Sequence, residues 1–285
     1  AAASQLLEFA PDGKFIREIG KGLYAWAYAH TVRVDPQDNI WAVDKGSDMV
    51  VRFTPQGRVN MVFGRKKEAS DDAEPWTRVT PPRPAVDGQF RQPTDVAWDP
   101  QGNIYISDGY INSRVAKFDK DGNWVKQWGE FGAAAGQLNT PHSLANDRQG
   151  NLYVADRGNR RIQVYDGDGK LLRSITIDAP VPPDARVWMG AKPTPQTPLQ
   201  SQSGAPWAVC VSGGPTQYLY SADSFPGRIY KLTLDGKLLG MLGKTGRTPG
   251  TFGWIHEMAC PSENELYVAE ILNWRVQKLT LKPKK

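Results

Sequence analysis

The sequence predicts an all-β chain, a six-bladed β-propeller whose first blade is incomplete. Three observations carry that expectation: an internal repeat in five copies, four short strand patterns in a full copy, and a partial copy near the N-terminal end. Self-similarity at a fixed period decides the architecture ahead of local propensity, because each copy is one supersecondary unit. The copies begin at His30 (HTVRVDPQDNIWAVDKG), Thr94 (TDVAWDPQGNIYISDG), His142 (HSLANDRQGNLYVADRG), Trp207 (WAVCVSGGPTQYLYSADS) and His256 (HEMACPSENELYVAE).

Each copy opens on an alternating apolar run, the first strand, and turns at a D-x-x-G-like string. A second run such as NIYISD, a polar loop, a third run such as RIQVYD, an Asp-Gly turn and a last run such as KLLRSI follow. Period-two alternation punctuated by Asp-Gly and Asn-Gly is the pattern of an antiparallel meander. Such a sheet cannot bury both faces alone, so copies must stack face to face as propeller blades do. Residues 5–19, with the strings LLEFA and FIREI, match only the third and fourth strands, and the last copy stops after its third strand at Leu281. The expected layout is a partial blade over 5–19 and blades starting near 30, 94, 142, 207 and 256, within one domain over 1–285. A stretch preceding Ala1 is expected to supply the rest of the first blade.

Composition agrees with one all-β domain of 285 residues. A net charge of +5, with Lys and Arg spread through every copy, shows no basic stripe and argues against a nucleic-acid partner. There is no apolar run of about 18 residues, so no membrane span is expected, and no signal peptide is seen. Cys210 and Cys260 sit one position apart in phase on the first strands of neighbouring blades. Their side chains are expected on opposite faces, which speaks against a bridge.

The chain has 3 histidines. In register, the first positions of the five copies are His30, Thr94, His142, Trp207 and His256, so histidine recurs in alternate blades. Alternate blades of a six-fold ring lie about 120° apart, and three imidazoles would converge on the channel axis. That is the arrangement of an open tetrahedral site, with a fourth position left for water or substrate. Three neutral imidazoles suit zinc or another borderline ion better than calcium or magnesium.

The loops between second and third strands, and the connections between blades, open on the same face as the histidines. Two connections, 65–91 and 178–205, are long, Pro-rich and unpatterned, and are candidates to cover that mouth. The acids Asp44, Asp108, Asp156, Asp223 and Glu270 recur at one phase and are read as structural, holding turns through backbone hydrogen bonds. Arg114, Arg161, Arg228 and Arg275 recur likewise and are expected to brace adjacent blades. The residues that follow the acids vary: Lys45, Gly109, Arg157, Ser224 and Ile271. Arg157 breaks the pattern immediately after its acid, and Tyr110 lies in a loop one residue longer than the others. Both are candidate site residues.

The strings QPTDVAWDPQGNIYISDGYINSR and TPHSLANDRQGNLYVADRGNRRIQVYD closely resemble peptidyl-α-hydroxyglycine α-amidating lyases and, more loosely, the wider NHL-repeat propellers. The likeness is strongest over residues 91–165. It implies three zinc-binding histidines at His30, His142 and His256, a catalytic tyrosine at Tyr110 and an active-site arginine at Arg157. It also implies a structural calcium held by the backbone of Val32 and by Glu257, where aspartate is more typical. A second active-site arginine of the family precedes the point where this chain begins. The family's two disulfides have no counterpart, since the matching positions are Arg91 with Ile111 and Tyr153 with Val164.

The resemblance implies a lyase that splits a carbinolamide C–N bond in a small peptide or amide, releasing an amide and glyoxylate. Zinc would act as Lewis acid, Tyr110 as general base, and Arg157 as partner of the substrate carboxylate or carbonyl. A monooxygenase partner and a secreted or periplasmic setting are expected with it. Two other readings are a non-catalytic NHL propeller that binds protein or RNA, and a metal-dependent lactonase or other hydrolase on the same ring.

Overall fold

The strand-forming strings fold as their alternation requires, and the result is an all-β propeller with five blades. The computed structural model describes residues 5–68, 77–80 and 82–281. Its only helical pieces among these are two 3-10 turns, Arg157–Asn159 and Leu199–Ser201. The chain divides into two compact units, residues 1–98 with 102–127, and residues 99–101 with 128–285.

In the first unit, β1 (Leu6–Phe9) and β2 (Phe15–Ile19) form a two-stranded hairpin, in keeping with the third- and fourth-strand pattern of residues 5–19. One blade follows as β3 (Ala29–Val34), β4 (Ile40–Asp44), β5 (Met49–Phe53) and β6 (Val59–Gly64), paired in that order. The next is β7 (Asp95–Trp98), β8 (Ile104–Asp108), β9 (Arg114–Phe118) and β10 (Trp124–Trp128). Alternation sends Trp41 and Val43 of β4 to meet Val96, Ile104 and Ile106 in one cluster. Ala42 points the other way, into a cluster with Ile19, Val51 and Phe53. Each fully buried aliphatic side chain of this kind contributes about 1.5–3 kcal/mol, which is what fixes the register.

The second unit holds the blade β11 (Pro141–Asn146), β12 (Leu152–Asp156), β13 (Arg161–Tyr165) and β14 (Leu171–Ile175). The blade β15 (Ala208–Val211), β16 (Leu219–Ala222), β17 (Ile229–Leu232) and β18 (Leu238–Leu242) follows. The last blade has three strands, β19 (Ile255–Ser262), β20 (Glu265–Glu270) and β21 (Arg275–Thr280), and ends where the sequence pattern ends. Here Val209, Leu219 and Tyr230 share a cluster with Tyr153 and Val164, while Ala208, Cys210 and Tyr220 join Met258, Cys260 and Val268.

That last grouping corrects one expectation. Cys210 and Cys260 form a disulfide, with Cα atoms 6.0 Å apart. The two side chains do leave opposite faces of their own sheets, but in stacked blades the rear face of one sheet meets the front face of the next. Opposite phase is therefore the condition for contact.

The repeated acids have the structural role the pattern suggests. Asp44 accepts hydrogen bonds from the N–H groups of Ala27, Tyr28, Gly46 and Ser47. Asp108 accepts from Arg91 N–H, Asp156 from Asn139 N–H, Asp223 from Gly204 N–H and Glu270 from Gly253 N–H. Each acid thereby pins the connection that leads into its blade. The repeated arginines act on those same connections, not on the neighbouring blade. Arg161 reaches Asp156 and the carbonyls of Ala133 and Ala134, and Arg275 reaches Glu270 and the carbonyls of Arg247 and Thr251. An arginine fork satisfies several carbonyls at once, which a single strand edge could not offer.

Candidate metal-ligating histidines and their surroundings

The three histidine strands share a feature that their neighbours lack. In the β3–β4 ladder the register slips between Ala29 and Thr31, in β11–β12 between Pro141 and Leu144, and in β19–β20 between Ile255 and Glu257. The ladders of β7 with β8 and of β15 with β16 run without a slip. A bulge places one extra residue on its strand and re-aims a side chain. In each of these blades the histidine lies in the slipped step.

In the first unit, His30 Nδ1 lies 2.7 Å from the carbonyl oxygen of Thr94, and His30 Nε2 lies 3.2 Å from the Tyr110 hydroxyl. A carbonyl oxygen can only accept, so Nδ1 carries a proton, and in the neutral imidazole Nε2 is then the nitrogen with the lone pair. Backbone bonds of this type fix tautomer and ring orientation in metal-ligating histidines. The Tyr110 ring meets His30 edge-on at 5.5 Å, and the Lys45 ammonium stands 4.2 Å from the centre of the same ring.

The loop that carries Tyr110 is held from the long connection 65–91. The Arg78 guanidinium donates to the carbonyls of Tyr110 at 3.1 Å and Ile111 at 3.3 Å, and to Ser113 Oγ at 2.6 Å. Burial lowers the Arg78 pKa from its ordinary value. Arg91, which stands at a family cysteine position, donates to Asn112 Oδ1 at 3.3 Å. Guanidinium bonds thus tether the loop where the resemblance would place a disulfide. Part of this connection, 69–76 and 81, lies outside the described residues, so its expected cover of the mouth rests on the sequence.

In the second unit, His142 is buried and its Nδ1 lies 2.7 Å from the carbonyl oxygen of Trp207. The geometry repeats that of His30 with Thr94, one residue of the same phase accepting from another. Nitrogens of His142 and His256 lie within 4.8 Å of each other, and their rings meet edge to face. Trp207 is the common wall of this region. Its ring lies 5.3 Å from His142 and 6.4 Å from His256, and the Arg157 guanidinium stacks on it at 3.9 Å. Arg157 starts the 3-10 turn after Asp156 and is 5 % exposed. The Trp207 indole N–H donates to Gln200 O at 2.8 Å, tying the second long connection to this wall. Sequence reasoning noticed Trp207 only as the residue that replaced a histidine; an aromatic at a ligand phase was the signal for it.

His30 and His142 fit a borderline transition ion as ligands: each has Nδ1 on a backbone carbonyl, which in the neutral imidazole leaves Nε2 as the donor. The calcium that the resemblance implies would be held by the backbone of Val32 and by Glu257. Calcium takes six to eight oxygen ligands. Next to Val32 on β3 stands the Arg33 guanidinium, bound to both carboxylate oxygens of Asp95 at 2.9 and 2.6 Å. Glu257 directs Oε1 to the N–H of Met258 at 2.8 Å.

Residues 90–118 and 138–165 match the NHL repeat. The chain is 32 % identical over 122 residues to peptidylglycine alpha-amidating monooxygenase of Rattus norvegicus, a match covering 42 % of this chain and 11 % of that protein. It is 30 % identical over 116 residues to peptidyl-alpha-hydroxyglycine alpha-amidating lyase 1 of Drosophila melanogaster, covering 39 % of this chain and 19 % of that one. The matches thus span well under a third of these relatives. A gluconolactonase of Xanthomonas campestris shares the fold at TM-score 0.61 and 18 % identity, with 98 % of this chain and 80 % of that one covered. The chain therefore carries NHL repeats and, over about two fifths of its length, is similar to the amidating lyases.

Proposed function

We propose that the protein is a metal-dependent carbon–nitrogen lyase that cleaves a carbinolamide to an amide and glyoxylate. The observation that carries this reading is the paired tautomer control of His30 and His142, each with Nδ1 on the backbone of the next copy. With His256, the third histidine at the same phase of the repeat, they are the residues we propose as ligands of one ion, zinc or another borderline metal. Similarity to proteins named as amidating lyases supports the same chemistry. We also read the β1–β2 hairpin as the outer half of a sixth blade, because its strings carry the third- and fourth-strand pattern and Ile19 packs with Phe53.

A metal ion held there would supply Lewis acidity toward a substrate oxygen. Tyr110 takes the proton of the substrate hydroxyl as the C–N bond breaks, and that proton ends on the departing amide nitrogen. The hydroxyl carbon becomes the aldehyde of glyoxylate, so atoms balance without a further reactant. The Tyr110 hydroxyl stands 3.2 Å from His30 Nε2, the nitrogen whose lone pair would go to the ion, so the phenol is a neighbour of the proposed ligand and is not held by it. Arg157, whose guanidinium carbon lies 3.9 Å from the centre of the Trp207 ring, would meet a substrate carbonyl or carboxylate. A small peptide or amide ending in α-hydroxyglycine is the substrate, and a monooxygenase is the class of enzyme that would supply it.

The test is incubation of metal-loaded protein with an N-acyl-α-hydroxyglycine and assay of glyoxylate. Release above the spontaneous rate, abolished by chelation, is expected. No release from the hydroxyglycine, with ring opening of a lactone instead, would move the assignment to the hydrolases.

A further inference from the structure

We propose that Lys45 is a substrate-binding residue that receives the carboxylate of the substrate on the Tyr110 side of the site. The inference rests on the lyase reading and extends it to a residue that neither sequence pattern nor resemblance assigns. The first observation is positional. Lys45 follows Asp44 as Arg157 follows Asp156, whereas the other copies place Gly109, Ser224 and Ile271 after their acids. Both cations thus belong to copies that open on a histidine and occupy the same turn of the blade.

The second observation is spatial. The Lys45 ammonium lies 4.2 Å from the centre of the Tyr110 ring and 4.6 Å from that of Tyr28, so two tyrosines hold it between them. The hydroxyl of the first of these rings is the one 3.2 Å from His30 Nε2. A positive charge is therefore fixed against the residue proposed to take the substrate proton. Ring faces attract an ammonium through their quadrupole, which orients it. The turn beneath is rigid: Lys45 N–H donates to Tyr28 O at 3.0 Å, and Asp44 collects the surrounding N–H groups. A compact ammonium suits an anion better than a neutral carbonyl. The one anionic group of an N-acyl-α-hydroxyglycine is the carboxylate on the reacting carbon.

The experiment compares an N-acyl-α-hydroxyglycine with its methyl ester in wild-type protein, Lys45→Met and Lys45→Arg. Methionine keeps the stem packed between the rings and removes only the charge. Loss of one charge-assisted hydrogen bond is expected to raise KM for the acid about 10- to 100-fold. The kcat for the acid should stay within about 3-fold and KM for the ester should not move, with arginine restoring the acid. A purely structural role would change acid and ester together. Binding of an unreactive N-acylglycine, followed by calorimetry, separates this proposal from the lyase reading. Wild-type binding that Lys45→Met weakens about 10-fold or more supports Lys45 even if no glyoxylate forms. No wild-type binding, or equal binding by both proteins, overturns it.

Discussion

The carbonyl oxygen of Trp207 lies 2.7 Å from Nδ1 of His142, and these residues hold the same position in successive copies of the repeat. The contact converts a periodic sequence into tautomer control: the first residue of one blade orients the first residue of the blade before it. His30 and Thr94 repeat the arrangement at 2.7 Å. A threonine or tryptophan serves as well as any residue as acceptor, because only the backbone oxygen is used.

From this follows a prediction on metal content. Purified protein is expected to hold about one equivalent of zinc or a similar ion per chain, and His142→Ala is expected to bind it at least 10- to 100-fold more weakly. Elemental analysis after dialysis against a weak chelator makes the measurement. Unchanged stoichiometry and affinity in His142→Ala would remove the histidines from the site.

Tyr110→Phe removes the hydroxyl near His30 Nε2 and leaves the ring that packs on Lys45. Turnover should fall about 10²- to 10⁴-fold, the range for losing a general acid or base, with metal content unchanged. A variant that keeps full turnover would exclude the phenol from proton transfer.

The strands and the phase of the histidines were legible in the sequence because alternation and turn residues are local signals. His30, His142 and His256 could be chosen from spacing alone, and Tyr110 stood out because its loop is one residue longer. The bulges at the histidines were not legible, since a bulge is defined by the partner strand. Nor was the stacking of Arg157 on Trp207, which joins residues from different blades. Arg78 lies in a Pro-rich connection without periodicity, so nothing in its neighbours marked it as the tether of the Tyr110 loop. The Cys210–Cys260 bridge was missed through geometry: phase was read within one sheet, whereas contact is decided between two stacked ones.

Asp223 gives the chain a pH dependence. Burial pushes its carboxyl up to about 6, against the hydrogen bonds from Gly204, Tyr230, Arg228 and Gly227 that favour the ionised form. The unfolded chain releases this proton near pH 4. A raised folded value means that the stabilising contribution is complete below about pH 4 and is lost as pH rises through about 6. The stability of wild type relative to Asp223→Asn is therefore expected to fall by about 2 kcal/mol between pH 4 and 7. Urea unfolding at several pH values reads it directly, and a difference that stays flat would show that Asp223 titrates normally.

The disulfide between Cys210 and Cys260 joins β15 to β19 across a sequence separation of 50 residues. Both sulfur-bearing residues are buried in the cluster that also holds Tyr220, Met258 and Val268. Closing a loop of this length removes entropy from the unfolded chain worth about 4 kcal/mol in the chain-entropy model. Thiol titration of unreduced, denatured protein should find no free cysteine. The Cys210→Ala, Cys260→Ala double variant should melt about 5–10 °C lower, the shift appropriate to that energy in a chain of this size. Two free thiols in protein purified without reductant would show that the cysteines are neighbours in the core and not a bond between blades.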